Sequence, residues 1–213
     1  HLVPYLTGEK SGVPHDALAL LHGPGETVGA ALVRDPRVAS IAFTGSKEVG
    51  QIILREAVMN PPEGRLSKRV ICETGGKNAI IVDLSADLDE AVLGVRDSAF
   101  GFSGQKCSAC SRAIVIEGAY DTFLERLIES TRSLVVDDPT KPGTDLGPVI
   151  DDEAARKIRT YIELAKSEGR IELAMMRDDL GVRFIGPHIV TNLSPTSRVA
   201  SEEIFGPVLS VLK

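Results

Sequence analysis

The chain has 213 residues, 43% of them hydrophobic and 4% aromatic, with no tryptophan, so an aliphatic core must fill one large domain or parts of two. A formal charge of −6 with no basic stripe argues against nucleic acid as a partner, and no apolar run approaches the roughly 18 residues of a membrane span. Three cysteines are odd in number and too few for a disulfide framework, which, with no signal-peptide pattern at the start, points to a reducing, cytoplasmic setting.

In chain order, Ala17 to His22 is a short apolar segment that stops at Gly23-Pro24-Gly25. Glu26 to Val33 has helical spacing, and Asp35-Pro36 ends it. Val38 to Phe43 reads as a buried strand, and Thr44-Gly45-Ser46 turns the chain into a helix over Lys47 to Val58. Asn60 to Lys68 is a connector, then Arg69 to Glu73 and Ala79 to Val82 are strands. Leu88, Ala91, Val92, Val95 and Ala99 place a helix over Ala86 to Ala99. Ala113 to Glu117 is a strand closed by Gly118. Tyr120 to Val136 is an amphipathic helix whose face carries Phe123, Leu124, Leu127, Ile128, Thr131 and Leu134. Asp137 to Gly147 is a surface loop, and Asp152 to Gly169 is a helix with the glycine at its C-cap. Arg170 to Val190 fits an antiparallel or edge-rich segment. Strand, turn and helix alternating in this way predict an α/β fold with a mostly parallel sheet.

Four stretches can carry chemistry. Gly23-Pro-Gly25-x-x-x-Gly29 enters a helix, but its third glycine is one position late for a dinucleotide fingerprint, so it reads either as a phosphate turn or as a tightly packed bend. Gly45-Ser46-x-x-x-Gly50 follows a strand and opens a helix, where free N–H groups and the helix dipole suit a phosphate and the Ser46 hydroxyl adds a donor. Glu73 ends a strand before Gly75-Gly76 and is either a general base or a solvated carboxylate. Its neighbour Cys72 points to the opposite face of the strand, toward a core. In Phe100-Gly-Phe-Ser-Gly-Gln-Lys-Cys-Ser-Ala-Cys-Ser-Arg112, Cys107 follows a glycine-bearing bend and is either a nucleophile or a buried structural thiol. Cys107 and Cys110 form a C-x-x-C, which raises half of a zinc site or a dithiol redox pair; no second ligand pair among Cys72, His1, His15, His22 and His188 has zinc spacing, so no metal is expected, and the motif lies far from the first strand and helix where a thioredoxin-like pair belongs.

Taken together, these stretches resemble the aldehyde dehydrogenase superfamily from about Ser11 to the last residue. Phe43-Thr-Gly-Ser-Lys-Glu-Val-Gly50 looks like its cofactor-phosphate turn and Glu73-Thr-Gly-Gly-Lys-Asn78 like its general-base motif. Gly104-Gln-Lys-Cys107 looks like its nucleophile motif and Glu202-Glu-Ile-Phe-Gly-Pro-Val208 like its cofactor-ribose motif, in matching order and with a matching 34-residue step from Glu73 to Cys107. The resemblance implies that Cys107 is the nucleophile and Glu73 the base that activates the hydrolytic water. It implies that Gly45, Ser46 and Gly50 serve the cofactor pyrophosphate, Glu203 the nicotinamide ribose, and Phe205 the nicotinamide. Cys110 is then only a neighbour. Ser98-Ala-Phe together with Gly104 to Arg112 is most similar to the branch that oxidises glutamate γ-semialdehyde (1-pyrroline-5-carboxylate), in which a serine after the nucleophile binds the substrate α-carboxylate. Ser108 stands there; succinate semialdehyde or an aliphatic aldehyde is the competing substrate.

The fold so implied is aldehyde dehydrogenase-like: residues 1–76 as the C-terminal half of a partial Rossmann-type cofactor domain and 77–213 as an α/β catalytic domain cut short. The cofactor is NAD, with NADP not excluded, the partner a small aldehyde, and the parent enzyme a homo-oligomer. Because the family's oxyanion asparagine and substrate-carboxylate loop would lie outside residues 1–213, the 213-residue piece is expected to have little or no dehydrogenase activity. A catalytically silent fragment that keeps the motifs is the rival.

Overall fold

The computed structural model describes residues 12–14 and 17–213; His1, Ser11 and His15 lie outside the described residues. The chain separates into two compact units with the break between Thr74 and Gly75.

In the first unit a π-helical turn, Gly25–Gly29, runs into helix α1, Ala30–Arg34, which stops where Asp35 turns extended ahead of Pro36. Gly23 sits at φ +157 with Val28 Cγ2 only 2.3 Å from where its Cβ would be, whereas Gly25 and Gly29 have open space at that position, so close packing accounts for the first glycine only. Strand β1 spans Ser40–Gly45, two residues later than the apolar run over Val38 to Phe43 predicts. The physical reason is that the buried Lys68 ammonium takes the carbonyls of Asp35 and Val38, which holds Val38 in a turn ahead of the sheet. Helix α2, Lys47–Met59, buries Gly50, Ile53 and Ala57 on one face. Strand β2, Arg69–Thr74, lies parallel to β1, pairing Phe43 with Cys72 and Thr44 with Glu73. A Cβ on Gly50 would come 3.1 Å from Thr74 Cγ2 and 3.7 Å from Cys72 Sγ, so the missing side chain lets α2 sit directly on β2.

The second unit is a five-stranded sheet in the order β3-β4-β7-β6-β5. Its strands are β3 (Asn78–Val82), β4 (Cys110–Val115), β5 (Arg170–Met176), β6 (Ile185–Thr191) and β7 (Val208–Leu212). All neighbours are parallel except the β5–β6 pair, which forms the antiparallel edge. Helices α3 (Leu88–Phe100) and α4 (Glu117–Arg132) cover one face, and α5 (Asp152–Glu168) with the short α6 (Arg198–Ser201) covers the other. The central strand β7 shows the alternation directly. Leu209 and Val211 join Val95, Phe123 and Leu127 in one core, while Val208 and Leu212 join Ile158, Ile162 and Val199 in the other.

Helix ends follow local chemistry. Asp87 caps α3 by accepting from Asp89 and Glu90 N–H, which starts that helix at Leu88 rather than Ala86. Helix α4 begins three residues before Tyr120, with Gly118 inside its first turn against Leu84 instead of closing a strand. It ends at Arg132, because Val135 and Val136 pair with the Asp145–Leu146 stretch of the following loop. Gly169 does occupy the C-cap of α5, but its backbone is extended; what demands glycine there is Thr191 O, 2.5 Å from the Cβ position. Among the described residues no helix is long and apolar enough to cross a membrane.

Candidate active site

Strand β4 begins at Cys110, so the cysteine stretch divides into a bent approach and a strand start. The approach is a 3₁₀ turn, Gly101–Gly104, in which Phe102, Ser103 and Gly104 take φ of +57, +56 and +68 in succession. Left-handed geometry costs an L-residue about 1–2 kcal/mol, so two non-glycine residues in a row must be held by their surroundings. The buried Ser103 hydroxyl donates to Gly147 O at 3.0 Å, and both the backbone and the side chain of Gln105 donate to Phe102 O. Gln105 Oε1 then accepts from Ile150 N at 2.9 Å, tying the bend to the loop before α5. A Cβ on Gly104 would lie 2.4 Å from Gly206 O, so the bend before Cys107 and the Phe205-Gly-Pro207 segment touch backbone to backbone.

Lys106 to Ala109 form a turn closed by Ala109 N–H on Lys106 O at 3.1 Å. Cys107 and Ser108 are its two central residues, and both are exposed. The Asn78 side-chain nitrogen, at the start of β3, donates to Cys107 O at 2.6 Å and approaches Ala109 O at 3.4 Å. Cys110 faces the α3 side, 3% exposed, with its N–H on Ser98 Oγ at 3.1 Å; burial pushes its thiol up. The C-x-x-C is therefore one exposed and one core cysteine. No group of three or more His, Cys, Asp and Glu among the described residues could hold a metal ion.

Behind the turn lies a charged cluster. Glu203 Oε1 accepts from Gly76 N–H at 3.2 Å, and its carboxylate fills the place a Gly75 side chain would need, 2.0 Å from the Cβ position. Glu202, in contrast, is held by Arg198 at 3.0 Å and by the Tyr161 hydroxyl, and Arg198 keeps its carboxyl below the usual range. The two adjacent glutamates are thus separated by geometry: one braces a helix, the other faces the Gly75-Gly76 turn. Phe205 sits half-exposed at φ +60 between them and Gly206. Lys77 Nζ is buried without a hydrogen-bond partner, and its ammonium is pushed down to about 8, chiefly by burial and then by the like charge of Arg112. A crevice of about 20 Å³, room for about one water, is lined by Gly76, Gly104, Lys106, Cys110, Glu203 and Phe205.

In the first unit, Ser46 caps α2, its hydroxyl oxygen accepting from Val49 N–H at 3.2 Å while its own proton stays available to donate. A Cβ on Gly45 would lie 2.4 Å from the Phe43 ring and would have to displace it, whereas one on Gly50 would only press Thr74. Glu73 is exposed at the C-terminal end of β2, across from Thr44, and Cys72 on the opposite face is half-buried. Glu73 and Ser46 thus share the carboxyl end of two parallel strands, where ligands of open α/β sheets gather.

Within the second unit, then, Gly76 lies between Cys107 and Glu203, its Cβ position 3.6 Å from Cys107 O and its N–H on Glu203, and Phe205 lines the same crevice as Glu203 and Lys106; Ser108 follows Cys107 in the exposed turn. Sequence reading missed Asn78 and Lys77, which lie inside a motif quoted only for its glutamate. The signal available was a lysine and an asparagine directly after two glycines, polar residues at the mouth of a strand.

The sequence profile described as the aldehyde dehydrogenase family matches residues 6–213. The chain is 47% identical over 205 residues to the 1-pyrroline-5-carboxylate dehydrogenase of Geobacillus thermodenitrificans, covering 96% of this chain and 40% of that one. Among solved structures it is similar to the 1-pyrroline-5-carboxylate dehydrogenase from Thermus with bound NAD, at 48% identity and a TM-score of 0.88, covering 95% of this chain and 39% of that one. It is also similar to proline utilization A from Bdellovibrio bacteriovorus, at 42% identity and a TM-score of 0.89, covering 95% and 21%. The chain spans about 40% of the length of the curated relatives it matches.

Proposed function

Since this chain belongs to the aldehyde dehydrogenase family, we propose that it carries the thiol and base of an NAD-dependent oxidation of L-glutamate γ-semialdehyde to glutamate, a step of proline catabolism. The observation that supports this most is the Cys107 turn: an exposed thiol on a backbone held at both neighbouring peptides, led into by a bend whose Gly104 abuts the Gly206 backbone.

The Cys107 thiolate attacks the aldehyde carbon, forming a C–S bond and an oxyanion that backbone N–H groups of the turn stabilise. NAD, when bound, supplies the acceptor for the hydride that leaves this carbon. The resulting thioester on Cys107 is hydrolysed by water that Glu73 deprotonates, releasing the acid and returning the thiolate. The residues present fit such a cofactor. Ser46 has a hydroxyl proton to give at the N-terminus of a 13-residue helix, a place suited to phosphate. Glu203 is a carboxylate that accepts from Gly76 N–H and is suited to ribose hydroxyls, and Phe205, two residues on, offers an exposed ring. Ser108, exposed beside the thiol, supplies a hydroxyl for the substrate α-carboxylate. On this reading residues 1–76 belong to a cofactor domain and 77–213 to a catalytic domain. The setting is cytoplasmic, the complete enzyme is a homo-oligomer, and the 213 residues by themselves turn over little or no aldehyde.

The test is a chimera in which the matched segment of the Geobacillus relative is replaced by residues 6–213 of this chain. Reduction of NAD with glutamate γ-semialdehyde, abolished by Cys107→Ala and reduced in steady state by Glu73→Gln, is the expected result. Equal efficiency with succinate semialdehyde removes the substrate assignment, and undiminished turnover in Cys107→Ala removes the mechanism.

A further inference from the structure

Cys107 is exposed, yet both peptide planes that flank it are fixed. The Lys106 carbonyl accepts from Ala109 N–H at 3.1 Å, and the Cys107 carbonyl accepts from the Asn78 amide at 2.6 Å. In a planar trans peptide the C=O and N–H point opposite ways. Holding the Lys106 carbonyl therefore aims the Cys107 N–H, and holding the Cys107 carbonyl aims the Ser108 N–H. With both planes set, the φ and ψ of Cys107 are set, and with them the direction of its Cα–Cβ bond.

Asn78 is itself well anchored. Its carbonyl accepts from Ser111 Oγ at 3.2 Å, and it pairs with Cys110 just before a register shift in the β3–β4 ladder. Its amide nitrogen has two N–H groups, one for Cys107 O and one toward Ala109 O at 3.4 Å. Gly76 leaves room for this arrangement, since a Cβ there would press to 3.3 Å from Asn78 Oδ1 and 3.6 Å from Cys107 O.

We propose that Asn78 is a positioning residue for the thiol chemistry: its side-chain amide at the mouth of β3 fixes the Cys107–Ser108 peptide plane, the turn bond from Ala109 N–H fixes the preceding one, and together they direct the sulfur and the neighbouring N–H groups toward the substrate carbonyl. This rests on the dehydrogenase reading above. Asn78 touches no reacting atom; it acts through the Cys107 backbone.

Asn78→Asp keeps the shape and removes the donor, leaving a carboxylate that only accepts opposite two carbonyl oxygens. Asn78→Ala removes the group altogether. In the chimera both variants should lose about tenfold or more in the single-turnover rate of NADH formation, with the KM for NAD changed less than about twofold. Ser111→Ala deletes the neighbouring bond to the same residue without touching Cys107, and its rate should stay within about twofold of the parent. In the 213-residue chain, Asn78→Asp should slow iodoacetamide labelling of Cys107 about fivefold while Cys72, the internal reference, is unchanged.

Equal losses in Ser111→Ala and Asn78→Asp would mean general loosening and overturn the proposal. So would a rise in the KM for NAD that matches the fall in rate, or Asn78 variants that do not fold. A parent chimera that reduces no NAD overturns the dehydrogenase reading alone; the labelling comparison then still decides the role of Asn78.

Discussion

Lys77 carries an ammonium that is buried, has no hydrogen-bond partner among the described residues, and is pushed from 10.5 to about 8, mainly by burial. At about 1.4 kcal/mol per pH unit, this corresponds to about 3 kcal/mol of destabilisation at neutral pH, an upper value because the side chain is not wholly enclosed. Replacing it by methionine loses no hydrogen bond, so Lys77→Met should stabilise the chain at pH 7. For a unit of this size that is an increase of about 5–10 °C in thermal midpoint. The sign follows from proton binding. Between about 8 and 10.5 the unfolded lysine holds its proton while the folded one has released it, so wild-type stability rises with pH through that window. The advantage of Lys77→Met is therefore largest below pH 8 and fades toward pH 10.5. Paired melts of the two proteins from pH 7 to 10.5 read it, since other titrations cancel in the difference. A variant that is less stable at pH 7, or a gain that stays constant to pH 10.5, would refute the reasoning.

Gly104→Ala puts a Cβ on a residue at φ +68 and 2.4 Å from the Gly206 carbonyl, which as backbone cannot swing aside, so a loss of about 2–4 kcal/mol is expected in chemical denaturation. The atoms nearest a Cβ in Gly75→Ala all belong to the movable Glu203 carboxylate, so stability should change by less than about 1 kcal/mol while the KM for NAD in the chimera rises severalfold. Cys110, buried and with its thiol pushed up, should label with iodoacetamide at least about tenfold more slowly than Cys107 in the folded chain and at a similar rate in denaturant.

The parts legible in the sequence are those written in periodicity and glycine placement. The apolar steps through Val92, Val95 and Ala99, and through Phe123, Leu127 and Thr131, became buried helix faces as read. Boundaries moved where a side chain took over backbone hydrogen bonds, as Lys68 does before β1 and Asp87 does before α3, and no local periodicity carries that information. The bend before Cys107 was visible through its glycines, but left-handed Phe102 and Ser103 were not, because what holds them, Gly147 and Gln105, comes from tertiary contact and a side-chain bridge. The choice of Glu203 over Glu202 came from a motif; its physical basis, the Arg198 and Tyr161 bonds that occupy Glu202, exists only after folding. Asn78 and Lys77 escaped for the same reason. Asn78 makes a 2.6 Å contact to a residue 29 positions away, and Lys77 Nζ has no hydrogen-bond partner among the described residues.

The claim that organises all of this is that one sulfur forms a covalent acyl intermediate. Mass analysis of acid-quenched peptides from the Glu73→Gln chimera, after mixing with NAD and glutamate γ-semialdehyde, reads it directly. The account predicts an acyl mass increment on the peptide containing Cys107, located on Cys107 and not on Cys110, and none when NAD is left out. Turnover with no such adduct, or an adduct on another cysteine, would contradict it.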